Sequence, residues 1–330
     1  MRVMFGRILV MGLALLAGAA AADPAPREIG PATAQLPHAI PGGFDLPNGW
    51  RITPAGKPIA EIGDMVLKLI EAPDGKAIIA NHAGYLPHGL SVIDPKTEKV
   101  VQEIKLKSAW LGMAWSPDGK TLYVSGGNAT GEKREARTLA PIYLFSYQNG
   151  RLSPEPVGRL DETIPMDKVW WSGLARHPTR PLLYAANRGV DNTPTNVVVF
   201  DTSTGKLVTR IPVEISPYEL VFNKDASRLF VSNWSSNSVS VIDTGTNKVI
   251  ATLRVGANPN DMTLSADGRL FVACSNDNTV YVIDTRKLVG GAKAGRCGLG
   301  GQGPDPRRWP GQGRRRQAGA LDRGGQENCR

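Results

Sequence analysis

From about residue 64 to residue 288 apolar and polar side chains alternate with a period of two. In "SVSVID" Val239 and Val241 point one way and Ser240 and Ile242 the other, the pattern of a strand with two distinct faces. The runs are short, and clusters of Gly, Asn, Asp and Thr-Gly separate them, as tight turns between antiparallel strands require. No helical periodicity of useful length interrupts them.

The alternation is itself repeated. "LFVSNWSSNSVSVIDTGTNKVIATLRVGANPNDMTLSADG", Leu229 to Gly268, restarts as "LFVACSNDNTVYVID" at Leu270, about 41 residues on. An Asp closes the corresponding run at Asp94, Asp201, Asp243 and Asp284, while a degraded copy ends at Tyr147. A second landmark, a turn of the "SPDG" type, recurs at Asp74, Asp118, Asp225 and Asp267. Four strands in a unit of this length predict β-propeller blades, which bury their faces only by stacking on neighbours. The fold class expected is therefore all-β. A lone strand in 51–63, four units of four strands and a last unit of three make about five blades, either a closed five-bladed ring or an incomplete seven.

These residues resemble the YVTN-type β-propeller repeat proteins of bacterial and archaeal envelopes. Phe230-Val231-Ser232-Asn233, Tyr184-Ala185-Ala186-Asn187 and Ile78-Ile79-Ala80-Asn81 are variants of the name-giving tetrad, whereas Gly126 and Cys274 depart from its final Asn. The resemblance covers roughly residues 51–288 and implies a seven-bladed ring. "GWRITPAGKPIAEIG" and "KLKSAWLGMAWSPDGKTLYVSGGN" are further similar to the propeller of larger bacterial proteins in which a hydrolase of the alkaline-phosphatase superfamily follows. That likeness implies an accessory role, not the hydrolase's activity.

Composition changes the picture at the two ends. Arg2 and Arg7 flank a basic start, Ile8 to Ala22 is apolar, and Ala20-Ala21-Ala22 offers a cleavage site. A run of 15 residues is too short for a membrane span, which needs about 20. Residues 1–22 therefore read as a signal peptide and place the mature protein in the periplasm or outside the cell. Of the formal charge of +9, all but +1 resides in the ends, and the body from 23 to 290 is left with that net of +1 by count of the sequence. A near-neutral body has no electrostatic reason to bind nucleic acid. Three cysteines, two of them in the tail, do not make a disulfide framework. Residues 23–50 are expected as an extended segment. Residues 289–330 are rich in Gly, Arg and Pro and too poor in apolar side chains to order themselves. The abrupt switch near residue 290 points to a reading-frame change that replaced further repeats.

In a four-stranded meander the "SPDG" and "DTGTNK" turns share one face of the disc. The starts of the inner strands share the other with the loops between second and third strands. That second face collects the unusual residues: Trp110, Trp170, Trp171, Tyr218 and Asn260 from the strand starts, and His82, Tyr85, His88, Arg188 and Trp234 from the loops. Aromatic and Arg groups at one mouth suit recognition of a protein, peptide or glycan partner; packing between blades is the competing use of the same rings. No catalytic residue, metal site or cofactor is predicted. His82 and His88 lack a third ligand in their loop, and C-x-x-C-H, H-E-x-x-H and G-x-S-x-G are absent from the chain. The repeating Asp residues are expected to cap turns. The leading expectation is an exported, non-enzymatic binding or scaffold propeller, and the alternative is a truncated accessory domain of a phosphoesterase or a lactonase-like propeller hydrolase. Translating the gene in its other two frames beyond codon 290 should reveal further "SPDG…VID" units; a frame without any removes the reading-frame explanation.

Overall fold

A computed structural model describes residues 38–46, 50–53, 62–63, 65–127, 141–161, 169–189 and 193–288. The signal-like segment, residues 128–140 and the tail from 289 lie outside the described residues. The chain divides into two units, residues 1–58 and 59–330.

In the first unit, His38–Ile40, Gly43–Asp45 and Arg51–Ile52 form a small antiparallel sheet. Pro41 and Gly42 make its two-residue turn, with Gly42 at φ 77, a conformation glycine adopts without a steric cost. Arg51 clasps Asp45 through two bonds of 2.9 and 3.2 Å. Within the segment expected to be extended, the described residues at 38–52 thus form a self-contained sheet. The hairpin-forming Pro-Gly pair gives Arg51–Ile52 a local partner.

The second unit is a β-propeller. Its first blade consists of Met65–Glu71, Ile78–Ala83, Gly89–Asp94 and Lys99–Lys105. The second has Met113–Trp115, Thr121–Ser125 and Ile142–Gln148, with an outer strand broken into Arg151–Leu152 and Gly158–Leu160. Trp171–Arg176, Leu182–Asn187, Pro194–Asp201 and Leu207–Ile215 make the third, and Pro217–Phe222, Arg228–Asn233, Ser238–Asp243 and Lys248–Arg254 the fourth. The fifth has three strands among the described residues, Pro259–Leu264, Arg269–Cys274 and Thr279–Asp284. Neighbouring strands pair antiparallel in sequence order throughout.

The repeating aspartates cap turns as expected. Asp94 accepts from the backbone N–H of Lys96 at 2.8 Å, Asp201 from Ser203 at 2.8 Å and Asp243 from Thr246 at 2.9 Å. Those backbone bonds are the largest influence holding the Asp94 and Asp243 carboxyls below the usual carboxylate range, because a donor stabilises the charged form. On this same face Tyr147 of the second blade donates to Asp74 of the first at 2.7 Å, and Tyr184 of the third to Asn247 of the fourth at 2.9 Å.

Apolar burial between blades holds the disc together. The second to fifth blades each present one Leu or Met from the inner strand to a pocket of large side chains on the second and third strands of the blade before it. Met113 clusters with Ile79, Leu90 and Val92; Leu174 with Tyr123 and Ile142; Leu220 with Tyr184, Val197 and Val199; Met262 with Phe230, Val239 and Val241. Each such burial stabilises by about 1.5–3 kcal/mol. The equivalent residue of the first blade is Leu69, set by its pairing with Ala80 as Leu220 pairs with Val231. That pairing moves the first tetrad one residue: His82, not Asn81, stands where Asn233 stands in the fourth blade. Leu69 is 58% exposed, whereas Leu220 is 4% exposed. Leu220→Ala should therefore cost about 2–5 kcal/mol in urea unfolding, and Leu69→Ala no more than about 0.5 kcal/mol; equal losses would show that Leu69 is covered.

Candidate functional site

The fold brings the start of each inner strand next to the second-to-third-strand loop of the adjoining blade. In the first blade, the side-chain amide of Asn81 donates to the carbonyl of Trp110, and the His88 Nδ1 accepts from the Ala109 N–H at 2.9 Å. His88 is thereby a strut between the first two blades. His82 is half-buried against two glycines: a Cβ on Gly63 would come within 2.6 Å of its Nδ1, and one on Gly89 within 3.2 Å of its ring. Tyr85, in the loop between the two histidines, is fully exposed.

The second, third and fourth blades assemble the densest part of this face. Trp110 and Trp170 meet edge to face with centroids 5.0 Å apart, a favoured arrangement of aromatic quadrupoles. The guanidinium of Arg188 lies 4.9 Å from the Trp170 ring centroid, a cation–π contact. Asn187 fixes this corner by accepting from the N–H groups of Trp170 and Gly189, each at 3.1 Å. Tyr218 is half-buried beside it. Burial pushes its phenol upward, and the positive charge of Arg188 opposes that rise.

Trp234 begins a 3-10 turn and is held by its backbone, donating to Ser216 at 2.8 Å and accepting from the Asn258 amide at 3.1 Å. Asn260 is half-buried on the fifth inner strand. Trp171 is corrected. It is 0% exposed and packs edge to face on Phe200 at 5.9 Å in the core between the second and third blades, so no partner reaches it. Trp110 and Trp171 occupy equivalent places one turn of the repeat apart, and only the surrounding blades distinguish their exposure.

Reading the same column one position further along the chain would have found a second feature. The residues there are Lys68, Gly112, Gly173, Glu219 and Asp261. The glycines are dictated by the closeness of neighbouring inner strands: a Cβ on Gly112 would lie 2.1 Å from the Ser172 carbonyl oxygen, and one on Gly173 2.5 Å from that of Tyr218. The charged members reach across. Lys68 of the first blade donates to Glu219 of the fourth at 3.0 Å, although 151 residues separate them. Both stand on inner strands, so the pair bridges opposite walls of the central channel. Burial pushes the Glu219 carboxyl above its usual range; Lys68 acts against that, and Asp261 of the fifth blade reinforces it. Among the described residues no group of three His, Cys, Asp or Glu side chains could hold a metal ion.

Comparison with known proteins agrees with the architecture. Residues 247–284 match the family model described as "WD domain, G-beta repeat". Over 90 residues, 27% of this chain and 25% of the relative, it is 33% identical to the "Uncharacterized protein YncE" of Salmonella typhimurium. Over 128 residues, 37% of this chain and 32% of the relative, it is 30% identical to the "Seven-bladed beta-propeller protein Rv1057" of Mycobacterium tuberculosis. The matched stretches thus span a quarter to a third of these curated relatives. Among solved structures, the Kuenenia stuttgartiensis hydrazine synthase superposes with a TM-score of 0.53 at 18% identity, covering 66% of this chain and 70% of that one, a likeness of fold alone.

Because Glu219 binds its proton more tightly in the folded chain than in the unfolded one, its contribution to stability falls as pH rises from the ordinary carboxylate range through its raised value. Lys68 limits that loss. Lys68→Met should destabilise by on the order of 2 kcal/mol near neutral pH, discounted for the partial exposure of Lys68, and by less at about pH 5. The double change Lys68→Met with Glu219→Gln should recover most of it; a pH-independent loss would refute the channel bridge. The repeats, their sheet topology and these relatives together make the chain a β-propeller repeat protein.

Proposed function

We propose that this propeller is an exported binding or scaffold protein, not an enzyme, that recognises a protein, peptide or glycan partner through the aromatic-rich mouth of its disc. The arrangement of Trp110, Trp170, Arg188 and Tyr218 carries the reading. Two indoles, a guanidinium and a phenol from three successive blades form one amphipathic surface, and their contacts hold them in place before any partner arrives. Rings fixed in this way add contact area at little entropic cost, and a guanidinium beside them supplies donors for carbonyl, carboxylate or hydroxyl oxygens. Tyr85 extends the surface outward from the first blade.

Export is supported by the basic and apolar pattern of residues 1–22. The carboxylates of the face opposite the tryptophans are engaged in turn capping, which leaves them a structural role. Peptide and glycan arrays probed with the purified chain should identify a ligand class whose affinity falls at least about tenfold in Trp110→Ala and in Arg188→Ala, with unchanged circular dichroism. Binding that survives both changes, or phosphatase or lactonase turnover by the purified chain, would sink this reading.

A further inference from the structure

Arg188 breaks the pattern of its own repeat. It stands directly after Asn187, and the strand registers place Ala83, Gly127, Trp234 and Ser275 at the same position in the first, second, fourth and fifth blades. A blade therefore needs no cation there. The side chain is nevertheless half-buried and held in place. The backbone N–H of Arg188 donates to the Trp170 carbonyl at 2.8 Å, the Asn187 side chain accepts from the N–H groups of Trp170 and Gly189, and the guanidinium lies 4.9 Å from the Trp170 ring centroid. Gly127 of the second blade lies close against the same indoles: a Cβ there would come within 3.3 Å of the Trp170 Nε1 and 3.5 Å of the Trp110 Cβ. Among the described residues no carboxylate pairs with Arg188 and no oxygen accepts from its guanidinium. The acid next to Tyr218, Glu219, is taken by Lys68 across the channel at 3.0 Å.

We propose that Arg188 seats a carboxylate, and that the partner of this mouth is a peptide segment bearing Asp or Glu. The inference rests on the mouth being a recognition surface and names the chemistry it selects. A guanidinium presents five N–H donors in one plane, a fork that matches the two oxygens of a carboxylate. Its contact with Trp170 fixes that plane before a partner arrives, so little ordering entropy is lost on binding. Tyr218, whose phenol feels the same positive charge, supplies a ring beside the fork for the apolar part of the segment. A peptide is favoured over an acidic sugar because one face of Trp170 lies under the guanidinium and Trp110 closes on the same indole. This corner therefore offers donors, not a bare aromatic face on which a sugar ring could stack.

Matched sets of N-acetylated, C-amidated peptides that differ by Glu, Gln or Lys at one position test the assignment, with affinities for the full chain read by fluorescence anisotropy. Within a set, the Glu member should bind wild type at least about tenfold more tightly than the Gln and Lys members, the worth of a charge-assisted hydrogen bond. Arg188→Gln should bring the Glu member down to the level of the Gln member and change the Gln member much less. Arg188→Lys keeps the charge without the planar fork and should retain part of the preference. Trp110→Ala should weaken Glu and Gln members alike. Equal binding of Glu and Gln members overturns the proposal, as does a Glu preference that survives Arg188→Gln. An oligogalacturonate that binds more tightly than every peptide and is lost in Arg188→Gln overturns the choice of a peptide. Binding without a charge preference sinks this inference alone, whereas binding of no peptide and no oligosaccharide sinks the recognition surface with it.

Discussion

Everything in this molecule depends on burial of the broad faces of its sheets. A blade such as the fourth carries apolar residues on both faces, Leu229, Val231 and Ile242 on one and Phe230, Val239 and Val241 on the other, and cannot dry both by itself. The chain resolves this by setting one inner-strand leucine or methionine of the second to fifth blades into large side chains of the blade before it. The contact fixes the spacing of neighbouring inner strands. That spacing in turn demands Gly112 and Gly173 where a backbone oxygen approaches within the reach of a Cβ.

The two disc faces and the channel follow from the same stacking. On one face, the aspartate-capped turns tie adjacent blades through bonds such as Tyr147 to Asp74. On the other, a strand start lies against the loop of the blade before it, as where His88 supports the backbone beside Trp110, while Arg188 settles over Trp170 within the third blade. In the channel, residues distant along the chain come within reach because inner strands converge there. The Lys68–Glu219 bridge is the clearest product of that convergence. Its two charges offset one another in a place where either alone would be costly.

Much of this was legible in the residues. Period-two alternation, the repeat of about 41 residues and the aspartate landmarks specify strands, turns and blade boundaries, because each is a local requirement of pleat and turn geometry. The surface that gathers Trp110, Trp170, Tyr218 and Arg188 was legible too, since a meander sends alternate connections to opposite sides. Less legible was which aromatic remains accessible. Trp110 and Trp171 sit at equivalent repeat positions, yet Trp171 is enclosed by the packing of two blades. The one-residue shift of the first tetrad, which puts His82 in the place of an Asn, depends on a strand register that alternation alone leaves open. The sheet at 38–52 likewise arises from a turn that gives the strand at Arg51 a local partner.

By itself, then, the sequence determined the strand-and-turn unit, its repetition and the sidedness of its loops, because these are settled within a few residues of chain. Only the tertiary structure decided which side chains are left uncovered and which charges meet. Leu69, Val280 and Val282 are ordinary core residues by pattern, and Lys68 and Glu219 are ordinary polar ones. Their exposure and pairing are properties of neighbouring sheets, and solvent accessibility is set by what lies across an interface, not by what lies next in the chain.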